Sequence, residues 1–184
     1  MKEGLQTKEL PFKCLKVYYS GSIAGVKETD PNFAWNLVEY MKLNGANVLS
    51  EHVAARNQEE MDKIRAKNMG LTVEEMNNDK EPWFAVRKQD LTWVHQATHV
   101  VALVNAPSHG VGMEIQEAIR KPQLGMNETP ILCLVHKDVP RLTFMIKGIN
   151  QEEAPNFSLK TYNDLEEAKK IIKDFLAKTS IKSK

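Results

Sequence analysis

Val100-Val101-Ala102-Leu103-Val104 is five apolar residues in succession, with no polar residue at alternate positions. A strand open to water on one face alternates. One that is apolar throughout is covered on both faces, as in parallel sheets. Helical periodicity follows after a short intervening motif, at 115–120. The same alternation of strand and helix recurs along the chain. Strands are expected at 15–19, 47–50, 130–136 and 157–161. A helix is expected over 31–43, where Phe33, Leu37, Tyr40 and Met41 make an apolar stripe and Pro31 suits a first turn. Others are expected over 56–69, 83–97, 142–149 and 165–177. In the last of these Leu165, Ala168, Ile171, Ile172, Phe175 and Leu176 face inward. Residues 70–82 read as a polar, irregular excursion. The fold class is therefore α/β: a Rossmann-like or flavodoxin-like parallel five-stranded sheet with helices on both faces. One domain is expected over 15–179, between an N-terminal tail over 1–14 and a C-terminal tail over 180–184.

Charge and cysteine content narrow the classes of function. The 184 residues carry 25 basic and 24 acidic side chains, a formal net charge of +1. Such a balance lacks the electrostatic footprint of a nucleic-acid binder. No apolar run approaches membrane-spanning length, and residues 1–12 lack the apolar core of a secretory signal. Cys14 and Cys133 both fall at expected strands and read as buried free thiols, not a disulfide framework. His95, His99, His109 and His136 have no metal-ligand spacing, so no zinc site is expected. The expected address is intracellular, in cytoplasm or nucleus.

Three segments follow strand ends and should converge, because such sheets bind ligands beyond the carboxyl ends of their strands. The first is Tyr18-Tyr19-Ser20-Gly21-Ser22-Ile23-Ala24-Gly25, a small-residue loop without the lysine of a P-loop. The second is Ser50-Glu51-His52-Val53. The third is Pro107-Ser108-His109-Gly110-Val111-Gly112-Met113-Glu114, read as a strand-to-helix turn with Glu114 in the first helical turn. Glycines there admit close backbone approach, and free N–H groups at a helix start attract anions. An ionised carboxylate is favoured at the same place. Glu114 paired with Asp90, on the neighbouring expected helix, fits glycosyl transfer, with one group as nucleophile and the other as proton donor. Each residue also has a plain structural alternative: Glu114 as a cap, Asp90 as a solvated charge, His52 as a packed histidine.

Val17-Tyr18-Tyr19-Ser20-Gly21-Ser22-Ile23, Ser50-Glu51-His52-Val53-Ala54, Gln89-Asp90-Leu91-Thr92-Trp93, the Pro107–Glu114 motif and Leu142-Thr143-Phe144-Met145-Ile146-Lys147-Gly148 occur in that order. In this the chain resembles the 2′-deoxynucleoside 5′-phosphate N-hydrolases, which belong with the nucleoside 2-deoxyribosyltransferases. The resemblance implies a Rossmann-like homodimer with shared active sites. It also implies cleavage of the N-glycosidic bond of a nucleoside 5′-monophosphate, with no cofactor, nucleic acid or membrane as partner. It makes Glu114 the nucleophile, Asp90 the acid and base, and Tyr18 their neighbour at the sugar. Ser22, Ile23, Ala24, Gly25, Ser108 and Gly110 would hold the phosphate, joined by Thr143 from the neighbouring subunit. Gly21, His52 and Met145 would border base and sugar. Family members often carry arginine where this chain has Ala24, and residues 57–82 are longer than the resemblance leads one to expect. Base exchange, hydrolysis of ribonucleotides of the CMP type, and nucleotide sensing without catalysis are the competing readings.

Overall fold

The computed structural model describes residues 10–22, 30–78 and 80–180. Five strands form one parallel sheet: β1 (Lys16–Gly21), β2 (Asn47–Val48), β3 (His99–Leu103), β4 (Ile131–His136) and β5 (Phe157–Tyr162). Their order is β2-β1-β3-β4-β5. This is the flavodoxin-like order, and its topological switch point lies between β1 and β3. There Tyr18 pairs with Val100 and Ser20 with Ala102.

Period-two alternation sends successive side chains of β1 to opposite faces. Val17 and Tyr19 enter one core with Val101, Leu132 and Leu134. That core is closed by α1 (Phe33–Leu43) and α7 (Leu165–Ser180). Tyr18 enters the other with Val100, Ala102, Ile131 and Cys133, beneath α4 (Pro82–Gln96) and α5 (His109–Arg120). The helices are held mainly by these stripes. In α7, Ala168, Ile172 and Leu176 are fully buried, and burying one large aliphatic side chain contributes roughly 1.5–3 kcal/mol.

Several expectations are corrected. Residues 70–82 are not wholly irregular, since α3 (Val73–Asn78) forms there, Met76 is buried and Thr72 exchanges hydrogen bonds with Glu75 at its start. It follows α2 (Gln58–Met69), whose end is set by Gly70 in a left-handed conformation at φ 70°. Cys14 lies in a turn before β1, exposed and at φ 70°, not buried in a strand; Cys133 is buried in β4. Phe12, inside the stretch set aside as a tail, is fully buried and donates its N–H to the Asn44 carbonyl.

Candidate active site

The carboxyl ends of β1 and β3 meet the start of α5. Ser108 follows β3 and caps α5, its Oγ accepting the Val111 N–H at 3.4 Å. The helix therefore begins at His109. Gly110 and Gly112 are helical, not part of a turn, and Glu114 sits in the second turn, not the first. The helix dipole acts mainly within the first turn, so it is not what sets the charge of this carboxylate.

Local contacts do that instead. The buried face of α5 is Val111, Ile115, Ala118 and Ile119. Glu114 flanks that face and reaches the carboxyl end of β1 at the switch point. The Ser20 hydroxyl, fully buried at the end of β1, donates to Glu114 Oε2 at 2.5 Å. Burial is the largest influence on the Glu114 carboxyl and leaves its pKa raised, although the Ser20 and Tyr18 hydroxyls pull it down as donors. The Tyr18 hydroxyl is fully buried and reaches no partner at full hydrogen-bond geometry, yet it lies close enough to the carboxylate to favour its charge. Burial first, then the charges of Glu114 and Asp90, push Tyr18 well above its usual value, so it stays protonated.

Asp90 lies on α4 one turn before Trp93 and Val94, which anchor that helix in the core. It is pushed from 3.8 up to about 6, by burial first and by the Glu114 charge second. Arg65, on α2, pulls the other way. The two carboxylates are thus electrostatic neighbours with different surroundings: both are desolvated, and Glu114 is the one supplied with hydroxyl donors. Two clips fix α4 against α5. His95 Nε2 bonds Glu117 Oε1 at 2.7 Å, and the buried Lys121 ammonium donates to the Val94 and Ala97 carbonyls at 3.3 and 2.8 Å. They hold the helices that carry the two acids.

His52 occupies the 3-10 turn at Glu51–Ala54. Ser50 positions that turn by donating its hydroxyl to the Tyr19 carbonyl at 2.6 Å. The His52 ring is 2% exposed and lies 5.6 Å from the Trp93 ring. Burial and the Arg65 charge push it down to about 4, so it is neutral at physiological pH.

Tyr18, Asp90, Glu114 and His52 are therefore gathered at one end of the sheet. Gly21 and Ser22 are half-buried where β1 ends. Gly110 faces the carboxylate: a Cβ there would lie 3.8 Å from Glu114 Oε1 and 3.9 Å from Ser108 Oγ. Thr143 and Met145 stand apart. They are exposed at α6 (Phe144–Lys147), where Thr143 caps the helix by accepting the Met145 N–H at 3.3 Å. Ile23, Ala24 and Gly25 lie outside the described residues. Among the described residues no cluster of three or more His, Cys, Asp or Glu side chains is suited to a metal.

No family model matches the chain. A protein of Trichoplax adhaerens named for 2′-deoxynucleoside 5′-phosphate N-hydrolase activity is 32% identical over 166 residues, 89% of this chain and 95% of its relative. The 5-hydroxymethyl-dUMP N-hydrolase of Rattus norvegicus is 36% identical over 133 residues, 72% of this chain and 68% of that protein. The chain belongs to the 2′-deoxynucleoside 5′-phosphate N-hydrolase family. Its fold is also that of the solved CMP N-glycosidase of Clostridium botulinum, with a TM-score of 0.54 at 17% identity over 85% of this chain and 97% of the other.

Within this N-hydrolase frame two side chains of the cluster escaped the reading of the sequence. Ser20 was legible in principle, because it lies two positions after Tyr18 and a strand places both on one face. Arg65 gave no signal, being one cation among the alternating charges of α2.

Proposed function

We propose that this chain hydrolyses the N-glycosidic bond of 2′-deoxyribonucleoside 5′-monophosphates, releasing free base and 2-deoxyribose 5-phosphate. The observation that carries the reading is the unequal pair of half-buried carboxylates at the switch point. Glu114 is supplied with the Ser20 and Tyr18 hydroxyls, and Asp90 is raised to about 6. The hydroxyl donors favour the ionised form of Glu114 against its burial, and burial beside that charge favours the protonated form of Asp90, which is the bias that a nucleophile and a proton donor need.

In the first step a Glu114 oxygen bonds to C1′. The C1′–N bond breaks, its electron pair leaves with the base, and Asp90 supplies the base with a proton. In the second step water attacks C1′ and gives a proton to the Asp90 carboxylate. The ester bond to Glu114 breaks, and its electron pair restores the carboxylate. Two displacements retain the configuration at C1′. The positive charge that develops on the sugar is stabilised by the Glu114 carboxylate in a site with little water. Tyr18 crowds the sugar beside it. The 5′-phosphate is placed on the capped start of α5, at Ser108 and Gly110, and on the segment that begins at Gly21 and Ser22 and includes Ile23, Ala24 and Gly25. Holding the phosphate orients C1′ for attack. Thr143 and Met145 complete the site from a second copy, and His52 borders the base.

Chromatographic detection of free base from a panel of nucleoside monophosphates and nucleosides tests the reading. Base release from deoxynucleotides and not from nucleosides is expected. Glu114→Gln should lower turnover at least 1000-fold with an unchanged circular dichroism spectrum. Residual activity above a few per cent would remove Glu114 as nucleophile. Appearance of a new nucleoside when a second base is added would show exchange in place of hydrolysis.

A further inference from the structure

The carboxyl ends of β3, β4 and β5 carry a polar cluster that the proposed chemistry does not use. Asn105 is buried two residues beyond the end of β3. Its Oδ1 accepts the His136 N–H at 2.7 Å, and its Nδ2 donates to the hydroxyl of the buried Tyr162 at 2.5 Å. His136 and Tyr162 end β4 and β5 and are register partners. The ladder between β3 and β4 runs to the Leu103–Leu134 pair and closes with the Val104 N–H on the Leu134 carbonyl at 2.9 Å. The next N–H of β4 toward β3 is that of His136, and the Asn105 side chain accepts it where backbone would otherwise do so. The main chain is thereby released from the sheet while the three strand ends stay tied together.

What leaves the sheet there is the lead into the Ser108 cap. Only Ala106 and Pro107 separate Asn105 from Ser108, and proline fixes one of the intervening torsions. The placement of Asn105 therefore passes to Ser108 with little slack. Tyr162 acts on the other proposed phosphate segment. Its ring stacks on that of Phe33, the first residue of α1, with centroids 5.2 Å apart and planes 18° apart. Phe33 opens the helix that follows the segment beginning at Gly21 and Ser22. One amide–phenol bond thus joins the anchors of both segments. Apolar groups of the same shape can be as stable as a buried hydrogen-bonded pair. A satisfied buried network differs in specifying one arrangement of the elements it joins.

We infer that Asn105 and Tyr162 are positioning residues for the 5′-phosphate, their mutual hydrogen bond holding the Ser108 cap and the start of α1 in the relative placement that grips it. The inference rests on the proposed function, because it needs a phosphate at Ser108 and Gly110. Neither side chain carries a step of the bond cleavage.

The test is calorimetry with dUMP and with deoxyuridine, which differ only in the phosphate, on the Glu114→Gln protein so that neither is consumed. Each ligand is titrated into that protein alone and combined with Asn105→Ala, with Tyr162→Phe and with both. Tyr162→Phe keeps the ring and its stacking and removes only the hydroxyl. Each single change should weaken dUMP at least tenfold and deoxyuridine less than about threefold. The double change should weaken dUMP no more than about twofold beyond the stronger single change, because the same bond is lost in all three proteins. Equal losses for the two ligands, or a loss of stability in urea with dUMP affinity intact, would overturn the inference and leave the cluster as a structural tie. Losses that multiply in the double variant would overturn it as well, since the two side chains would then act separately. So would a parent that binds dUMP no better than deoxyuridine, having no phosphate grip to set. Phosphate-dependent binding that is lost in the variants, with no base released by the chain that keeps Glu114, would instead defeat the hydrolase reading and leave the positioning assignment standing.

Discussion

Asp90→Asn should make the protein more stable at alkaline pH and inactive at every pH. A carboxyl whose proton is held from 3.8 up to about 6 has its charged form penalised by about 3 kcal/mol in the folded state. The sign follows from proton binding. The folded chain binds this proton more tightly than the unfolded chain, so stability from this group is fully present below about pH 4 and is lost as pH rises through about 6. Asparagine fills the same volume without the titration. The stability of the variant relative to the parent should therefore increase by about 2 kcal/mol between pH 4.5 and pH 8, whatever constant offset the amide itself adds. Urea unfolding at four or five pH values, at one protein concentration and with two probes whose transitions coincide, reads the quantity. Titration of surface groups is common to both proteins and largely cancels in the difference. A difference independent of pH would mean that Asp90 keeps its ordinary proton affinity and is hydrated. A difference that shrinks toward alkaline pH would mean that the charged form is favoured by a cation, with Arg65 outweighing burial.

Ser20→Ala removes an O–H donor from the Glu114 carboxylate, so that acid holds its proton more tightly; the acid limb of kcat/KM for base release should move to higher pH, and a limb that stays in place would show that the serine merely fills space. In the same profile, activity should decline as pH rises through about 6, when Asp90 loses the proton it donates. Phe144 and Met145 are 77% and 79% exposed, on a short helix anchored in the core by its own Ile146 and by Leu142 just before it, as suits the expected second copy. Met145→Asp should halve the molar mass measured by light scattering and lower activity at least tenfold; a parent chain that is already monomeric and active would refute the shared site.

The parts of the fold that were legible were those in which one short stretch carries its own burial pattern. The run from Val100 to Val104 announces a central strand because both faces are covered. The closing helix announces itself because its inward residues recur every three or four positions. The start of α5 misled, since Pro107, Gly110 and Gly112 look like turn residues. Yet Ser108 has the offset of a cap for Val111, and a helix tolerates glycines in its first turn at about 1 kcal/mol each. The shift matters: it moves Glu114 out of reach of the dipole and leaves its charge to Ser20 and Tyr18. In α3 only Met76 is buried, too little apolar pattern to show. The environment of Asp90 was not legible at all, because it depends on Glu114, twenty-four positions on, and on Arg65 across the cleft. Such couplings exist only once the chain has folded.

Gly110 and Glu114 stand one turn apart on a single helix, facing each other across 3.8 Å for a notional Cβ. A helix advances about 1.5 Å per residue and is stiff over one turn. The proposed phosphate contact and the proposed nucleophile are therefore marks on one rigid ruler. Breathing of the sheet or sliding of α5 carries both together and leaves their spacing unchanged. Selection for the length of the group between phosphate and anomeric carbon would thereby rest on this one helix.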